Sequence, residues 1–254
     1  MIVIKSPREI ELMRVAGSIV AEVFKTLKPM IKPGISTLEL ADAAEKVIIA
    51  RGATPTFKGY GGFPGAICVS VNDTLIHGIP SKKIILRDGD IVSLDVGATY
   101  KGYSGDACRT YPVGICKENA LRLVRITEES FWEGIKCIKD GTPLGDVSAS
   151  IQEYNEKHGY SLPRDYTGHG IGTHLHEDPA IPNYGRRGTG PILKAGMCLA
   201  IEPMVAEGKH PTRVLNDDWT VKMKDGKLSA HYENTIVVTL DGYEVLTTYE
   251  GERD

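Results

Sequence analysis

The sequence predicts an α+β fold made of two related halves. Three observations carry that expectation: amphipathic helices opened by capping boxes, β-branched runs bounded by glycine turns, and a weak repeat at an offset of 107 residues. Ser6, Pro7 and Glu9 form a capping box with proline at the first helical position, and Ile10, Met13, Ala16, Val20, Val23, Phe24 and Leu27 follow at helical spacing. A second helix opens at Ser36 with Glu39, turns Ala41, Ala44, Val47 and Ile48 to the core, and stops before Gly52. Strands are expected over residues 67–71, 91–96 and 100–110. The second half then repeats the plan with a helix from about 119 to 139, another from about 144 that ends before Gly159, and strands over 197–201, 230–239 and 243–248.

At the 107-residue offset Lys32, Gly34 and Gly52 fall on Lys139, Gly141 and Gly159, and Ile85-Leu86 and Gly89 fall on Ile192-Leu193 and Gly196. The same register sets Asp95 on Glu202. In each half a glycine turn leads into an apolar strand that ends at or just before an acid, so two such halves facing each other would bring the acids together. No Pro-rich or low-complexity linker interrupts the chain, and residues 1–254 are expected to form one domain with halves of about 1–112 and 113–254.

With 41% apolar and 25% charged residues and a net charge of −3, the composition is that of an ordinary globular protein and gives no reason to expect specific nucleic-acid binding. Cys68, Cys108, Cys116, Cys137 and Cys198 are odd in number and contain no C-x-x-C pair. That pattern suits reduced thiols in the cytoplasm. Neither a signal peptide nor an apolar run of membrane-spanning length is expected.

Asp95, Asp106, His169, Glu202 and Glu233 each sit in a short apolar or glycine-rich segment, where a lone charge is costly unless it is paired or bound to a metal. Asp95 closes Ile91-Val92-Ser93-Leu94, and Asp106 follows Gly102-Tyr103-Ser104-Gly105 on the next strand. His169 lies within Gly168-His169-Gly170-Ile171-Gly172. Glu202 lies within Ala200-Ile201-Glu202-Pro203-Met204, and Glu233 opens a strand after His231-Tyr232. One imidazole and four carboxylates make a ligand set for two divalent ions. Taken singly, each residue is equally at home as a turn, cap or core-network group.

Together these segments resemble the type I methionine aminopeptidases of the pita-bread fold. The likeness runs from Val71-Asn72-Asp73 and His77-Gly78-Ile79-Pro80 through Asp95-Val96, Gly105-Asp106, the Gly168–Gly172 segment and His176-Glu177 to Ile201-Glu202-Pro203-Met204 and Tyr232-Glu233. It implies two pseudo-symmetric αβ halves around a central antiparallel curved sheet. It also implies a dinuclear centre held by Asp95, Asp106, His169, Glu202 and Glu233, with Asp106 and Glu233 bridging. Four carboxylates balance two dications, so a water between the ions can ionise near neutral pH. Cobalt, manganese, iron, zinc or nickel would suit these donors, which do not choose among them.

The reaction implied is hydrolysis that removes the N-terminal methionine of nascent proteins. Glu202 would shuttle the proton, His176 would donate to the carbonyl oxygen, and His77 would contact the peptide near the scissile bond. Tyr60, Phe63, Cys68, Leu175 and Trp219 are the candidates for a thioether pocket, with small second residues favoured if the next subsite is narrow. His174, at strand spacing from His176, reads as structural or surface. Phe57 and Gly61 depart from the family pattern and bear on the rim of the pocket. A monovalent cation on backbone carbonyls near Asn72, Thr74 and Ser229 is a further expectation that leaves no mark in sequence. Lys82, Lys83, Arg186 and Arg187 are candidates for a transient ribosome contact, although solvated loops explain them as well. The chain is expected to be a monomer.

Two rival readings stand beside this one. A prolidase or aminopeptidase P uses the same five-ligand pattern but carries a large N-terminal domain, for which the 94 residues before Asp95 leave no room. The helical insertion of the type II enzymes is excluded by the short intervals from His176 to Glu202 and from Glu202 to Glu233. A non-catalytic pita-bread binding module would have no use for all five ligands plus His77 and His176.

Overall fold

The computed structural model describes residues 1–252. Helix α1 (Pro7–Leu27) starts at the Ser6 capping box, and α2 (Thr37–Ala50) starts at the Ser36 box, in which Glu39 also accepts from the Ser36 backbone N–H at 2.9 Å. Strands β1 (Thr54–Pro55), β2 (Cys68–Val71), β3 (Thr74–Ile76), β4 (Ile91–Tyr100) and β5 (Tyr103–Pro112) complete the first half. The second half holds α3 (Glu118–Ile135), α4 (Leu144–Lys157), β6 (Thr167–Gly170), β7 (Glu177–Pro182), β8 (Cys198–Ile201) and β9 (Met204–Ala206). It continues with β10 (Thr212–Val214), β11 (Val221–Met223), β12 (Ser229–His231), β13 (Glu233–Val238) and β14 (Tyr243–Val245).

Several expected boundaries change; the strand expected over 91–96 runs on to Tyr100 and that over 243–248 stops at Val245, and three further changes alter the path of the chain. The segment 100–110 is not one strand. Tyr100 ends β4 and pairs with Tyr103 of β5, across a two-residue turn in which Lys101 and Gly102 both have positive φ, 47° and 83°. That is the backbone of a hairpin turn whose twist matches the strands. The segment 230–239 breaks at Tyr232, whose N–H goes to Pro203 O at 3.1 Å as the chain leaves β12, paired with β9, and enters β13, paired with β5 and β8. The helix expected to 139 stops at Ile135, because the Thr142 hydroxyl donates to Cys137 O and Ile138 N–H to Ile135 O, turning the chain.

The repeat is carried into the backbone. Helices α2 and α4 are related by the 107-residue offset at both ends, and the bridges Ser36↔Ile85 and Pro143↔Ile192 obey the same shift. So do the hydrogen bonds Gly34 N–H to Leu86 O and Gly141 N–H to Leu193 O, each 2.8 Å. Gly34 and Gly141 have φ of 97° and 90°, which only glycine adopts readily.

The main sheet runs β1-β4-β5-β13-β8-β6-β7, with β2 added on β4 and β14 on β13, and its paired strands are antiparallel. Phe24, Leu27, Ile48, Val92 and Leu94 fill the core of the first half, and Phe131, Ile151, Leu193, Leu199 and Ile236 that of the second. A third cluster, with Met13, Phe57, Phe63, Cys68, Leu175 and Cys198, lies between them and floors the cleft. Helix α1 approaches β5 closely enough that a Cβ on Gly105 would stand 2.8 Å from Gly17 N. No helix among the described residues is long and apolar enough to cross a membrane.

Candidate metal centre

The strand order β4-β5-β13-β8-β6 delivers the five candidate ligands from five adjacent elements. Asp95 projects from β4 opposite Cys68 and Cys108, and Asp106 from β5 opposite Gly97. Glu233 opens β13, Glu202 follows the last residue of β8, and His169 lies on β6 opposite Ala200. His169 Nε2 stands 3.9 Å from Asp106 Oδ2 and 3.7 Å from Glu202 Oε1. Its Nδ1 is 2.9 Å from the Gly170 carbonyl, which can only accept, so Nδ1 carries the proton and Nε2 offers a lone pair to the cleft.

All these groups share a cavity of about 110 Å³. The remaining candidates line it too: Tyr60, Phe63, Cys68, His77, Leu175, His176 and Trp219. The Tyr60 hydroxyl lies 2.8 Å from His176 Nδ1, and the His176 ring meets that of His169 edge-on at 4.4 Å. Phe63 and Trp219 pack edge-to-face at 5.2 Å, with His77 6.1 Å from the indole. His77 holds its place with φ at 57°, a left-handed conformation uncommon outside glycine. Asp217 accepts from the backbone N–H groups of Trp219 and Thr220, fixing the turn that carries the indole.

Phe57, expected at the rim, and one residue not expected, His231, complete this constellation. Phe57 lines the cavity wall, against Gly97, where a Cβ would meet its ring at 2.7 Å. His231, only 2% exposed, lies behind the acids with Nε2 3.5 Å from Glu202 Oε2 and 3.7 Å from Glu233 Oε2. A signal for it existed in the sequence: His231 precedes Glu233 by two residues, the spacing that shares a strand face. Gly61 sits at the rim with φ at 57°, where a Cβ would stand 3.2 Å from Trp219. His174 is exposed, as expected. Near Asn72, whose carbonyl already accepts from the Ser229 N–H and hydroxyl, Ser229 and Thr74 lie on neighbouring strands.

Residues 11–240 match metallopeptidase family M24. The chain is 52% identical over 250 residues to the methionine aminopeptidase of Clostridium acetobutylicum, covering 98% of this chain and 100% of that one. It belongs to family M24. The fold of this M24 chain superposes on a crystal structure of methionine aminopeptidase from Thermotoga maritima with a TM-score of 0.97 at 48% identity, covering 98% and 100% of the two chains. It is the pita-bread fold. An Xaa-Pro dipeptidase from Bacillus anthracis shares it at a TM-score of 0.79 and 30% identity, with 98% of this chain matched to 63% of that longer one.

The donors of this M24 chain fit divalent metal ions. Asp95 Oδ1, Asp106 Oδ1, Glu233 Oε1 and His231 Nε2 are all buried without a hydrogen-bond partner, an arrangement that protein groups alone leave costly. Burial pushes the Asp95 carboxyl up to about 7, and holds Asp106, Glu202 and Glu233 well above the usual carboxylate range, with neighbouring acids adding to burial at Asp106 and Glu233. Burial also lowers His77, His169 and His231 to about 4, so their imidazoles stay neutral at pH 7.

These shifts predict how the metal-free protein responds to pH. A carboxyl raised in the folded state contributes stability that is present at low pH and lost as pH rises through the folded value. A histidine lowered in the folded state contributes the opposite, but only below its unfolded value near 6.5. From pH 7 to 8 the carboxylates dominate, because the unfolded imidazoles are then mostly neutral. Metal-free protein should therefore lose on the order of 1 kcal/mol per pH unit over that window, and manganese should abolish the slope. Urea unfolding with and without chelator measures this, and equal stability of metal-free protein at both ends of the window would refute it.

Proposed function

We propose that this chain removes the amino-terminal methionine from nascent polypeptides as a metal-dependent aminopeptidase acting in the cytoplasm, as one catalytic unit spanning both halves of the repeat. The observation that carries the reading is the single small cavity in which acids and imidazoles form one side and aromatic and sulfur-bearing side chains the other. Asp95, Asp106, His169, Glu202 and Glu233 would hold the divalent ions. When bound, the ions supply Lewis acidity toward a carbonyl and lower the pKa of water to near 7.

The protein's own residues do the rest. Glu202 receives the proton of the attacking water and returns it to the leaving amine. His176, held through Nδ1 by Tyr60, presents Nε2 to the carbonyl oxygen as its charge develops. His77 orients the peptide beside the scissile bond. Tyr60, Phe63, Cys68, Leu175 and Trp219 surround the thioether with polarizable, apolar surface that offers it no hydrogen bond, and burial keeps the Cys68 thiol protonated. A cavity of this size accommodates one side chain and favours small residues at the second position. The five cysteines are unpaired, in keeping with a reducing compartment. Of the basic residues considered for a ribosome contact, Arg187 is engaged by Glu153 at 2.6 Å, while Lys82, Lys83 and Arg186 are exposed.

The substrate assignment is checked by assaying Met-Gly-X against X-Pro peptides with added manganese or cobalt. Cleavage of Met-Gly-X by at least about 100-fold over X-Pro is expected, since removing one well-fitted side chain from its pocket changes discrimination by this order. Cleavage of X-Pro alone would transfer the chain to the prolidase class. Less than one ion bound at saturation would favour a non-catalytic module.

A further inference from the structure

His231 has no task in that mechanism, yet it is placed as a ligand would be. It ends β12, immediately before the chain crosses from one sheet to the other at Tyr232. Its backbone is clamped on both sides by Thr110, whose hydroxyl accepts from His231 N–H at 2.9 Å and donates to His231 O at 2.8 Å. The side chain is thereby fixed in the wall behind the acids, where Nε2 has no hydrogen-bond partner.

The spacing of that nitrogen is informative. At 3.5 Å from Glu202 Oε2 and 3.7 Å from Glu233 Oε2 it stands beyond the usual range of an N–H···O hydrogen bond, about 2.7–3.2 Å. Two donors on one ion, each about 2.0–2.2 Å from it, are separated by roughly 3.0–3.5 Å. His169 Nε2 keeps nearly the same spacing, 3.7 and 3.9 Å, from its own two carboxylates. The donors fall into two groups, Asp106-His169-Glu233 and Glu202-His231-Glu233, each with its atoms within 4.8 Å of one another and with Glu233 common to both.

We propose that His231 Nε2 is a sixth protein donor to the divalent ions, alongside the carboxylates of Glu202 and Glu233. The proposal rests on the metallopeptidase reading of the cleft and deepens it. The charge balance is unchanged, because the added donor is neutral. The metal preference is not: a second nitrogen donor shifts the site away from manganese toward cobalt, nickel and zinc.

The test loads metal-free protein with Co(II) and follows it by calorimetry, visible absorption and proton NMR. At two equivalents the parent should show two paramagnetically shifted, exchangeable imidazole N–H resonances. His231→Gln should show one, bind its weaker Co(II) more than about 100-fold less tightly, beyond the 10- to 100-fold that loss of an outer hydrogen-bond partner costs, change the visible spectrum of that equivalent, and lose less affinity for Mn(II) than for Co(II). One shifted imidazole resonance in the parent at two equivalents would overturn the assignment, and needs no variant. So would a variant that binds both ions with unchanged affinity and spectrum. A parent that binds no Co(II) would overturn the metal reading beneath it.

Discussion

Glu202→Gln is expected to lower kcat on a Met-Gly-X peptide by about 10²- to 10⁴-fold, the usual contribution of a positioned general base. Glutamine keeps one oxygen as a donor to metal but cannot hold the proton, so metal content should fall less than activity. Folding should not suffer. Glu202 is raised by burial and its charge in turn raises Asp95, Asp106 and Glu233 in the metal-free cleft, so replacing it by a neutral amide relieves that repulsion. The outer part of the residue is untouched, since the Glu202 carbonyl still accepts from Asn183 Nδ2 at 2.8 Å. Metal-free Glu202→Gln should thus melt at or above the parent temperature while its turnover collapses. Turnover within threefold of the parent would remove Glu202 from the chemistry.

The second large effect is on stability. Arg109, 4% exposed, lies between the rings of Phe24 and Tyr232, with its guanidinium 4.9 and 4.5 Å from their centres. It donates to Glu252 Oε1 at 2.7 Å, to Asn234 Oδ1 at 2.7 Å, to Cys108 O at 3.0 Å and to the carbonyl of Glu233. Removing one partner of such a buried pair leaves the other charge unpaired, and Arg109→Met is expected to cost about 3–5 kcal/mol. Equilibrium urea unfolding reads the loss. Because one of those bonds holds the backbone of Glu233, metal affinity should drop with it. Arg109→Met combined with Glu252→Gln removes the stranded carboxylate and should recover part of the stability but not the affinity. A single variant within 1 kcal/mol of the parent would show that neither the charge network nor the stacked guanidinium carries the local stability.

Much of this was legible in the chain because it obeys local rules. Ser6 and Ser36 announce their helices through capping boxes, and the offset that superposes Gly34 on Gly141 also relates α2 to α4 residue for residue. The same register sets Asp95 and Glu202 at equivalent positions of the two halves, and both line one cavity. What escaped has physical reasons. Lys101-Gly102 is a hairpin turn without the Asn-Gly or Asp-Gly signature, so β4 and β5 merged in part. Tyr232 changes sheets without glycine or proline to mark it, since Pro203 accepts its N–H from outside the segment. His231 was hidden by its neighbour: beside Glu233 it read as flanking sequence, and only the crossing strand shows that its ring shares a wall with Glu202. The short strand β11 draws on pairing with β3, far away in sequence, and β10 on pairing with β11, and both carry too few residues for a periodic signal.

The join between the halves is narrow. Strands β4 and β5 pair at ten positions, but β5 and β13 at only two, Cys108 with Glu233 and Ala107 with Asn234. Beyond them the ladder is continued by a side chain: the Thr235 hydroxyl accepts from Asp106 N–H at 2.9 Å and donates to Asp106 O at 2.8 Å. Asp95 and Asp106 lie on one side of that join, His169, Glu202 and Glu233 on the other. Ions held by all five, as proposed, would rivet the seam, so that the reagent of the reaction would at the same time fasten the body that performs it. A chelator would then do mechanical as well as chemical damage, loosening the sheet at this two-pair join, and an inhibitor that binds the cleft while leaving the ions in place would tighten the protein where a metal-stripping one would open it.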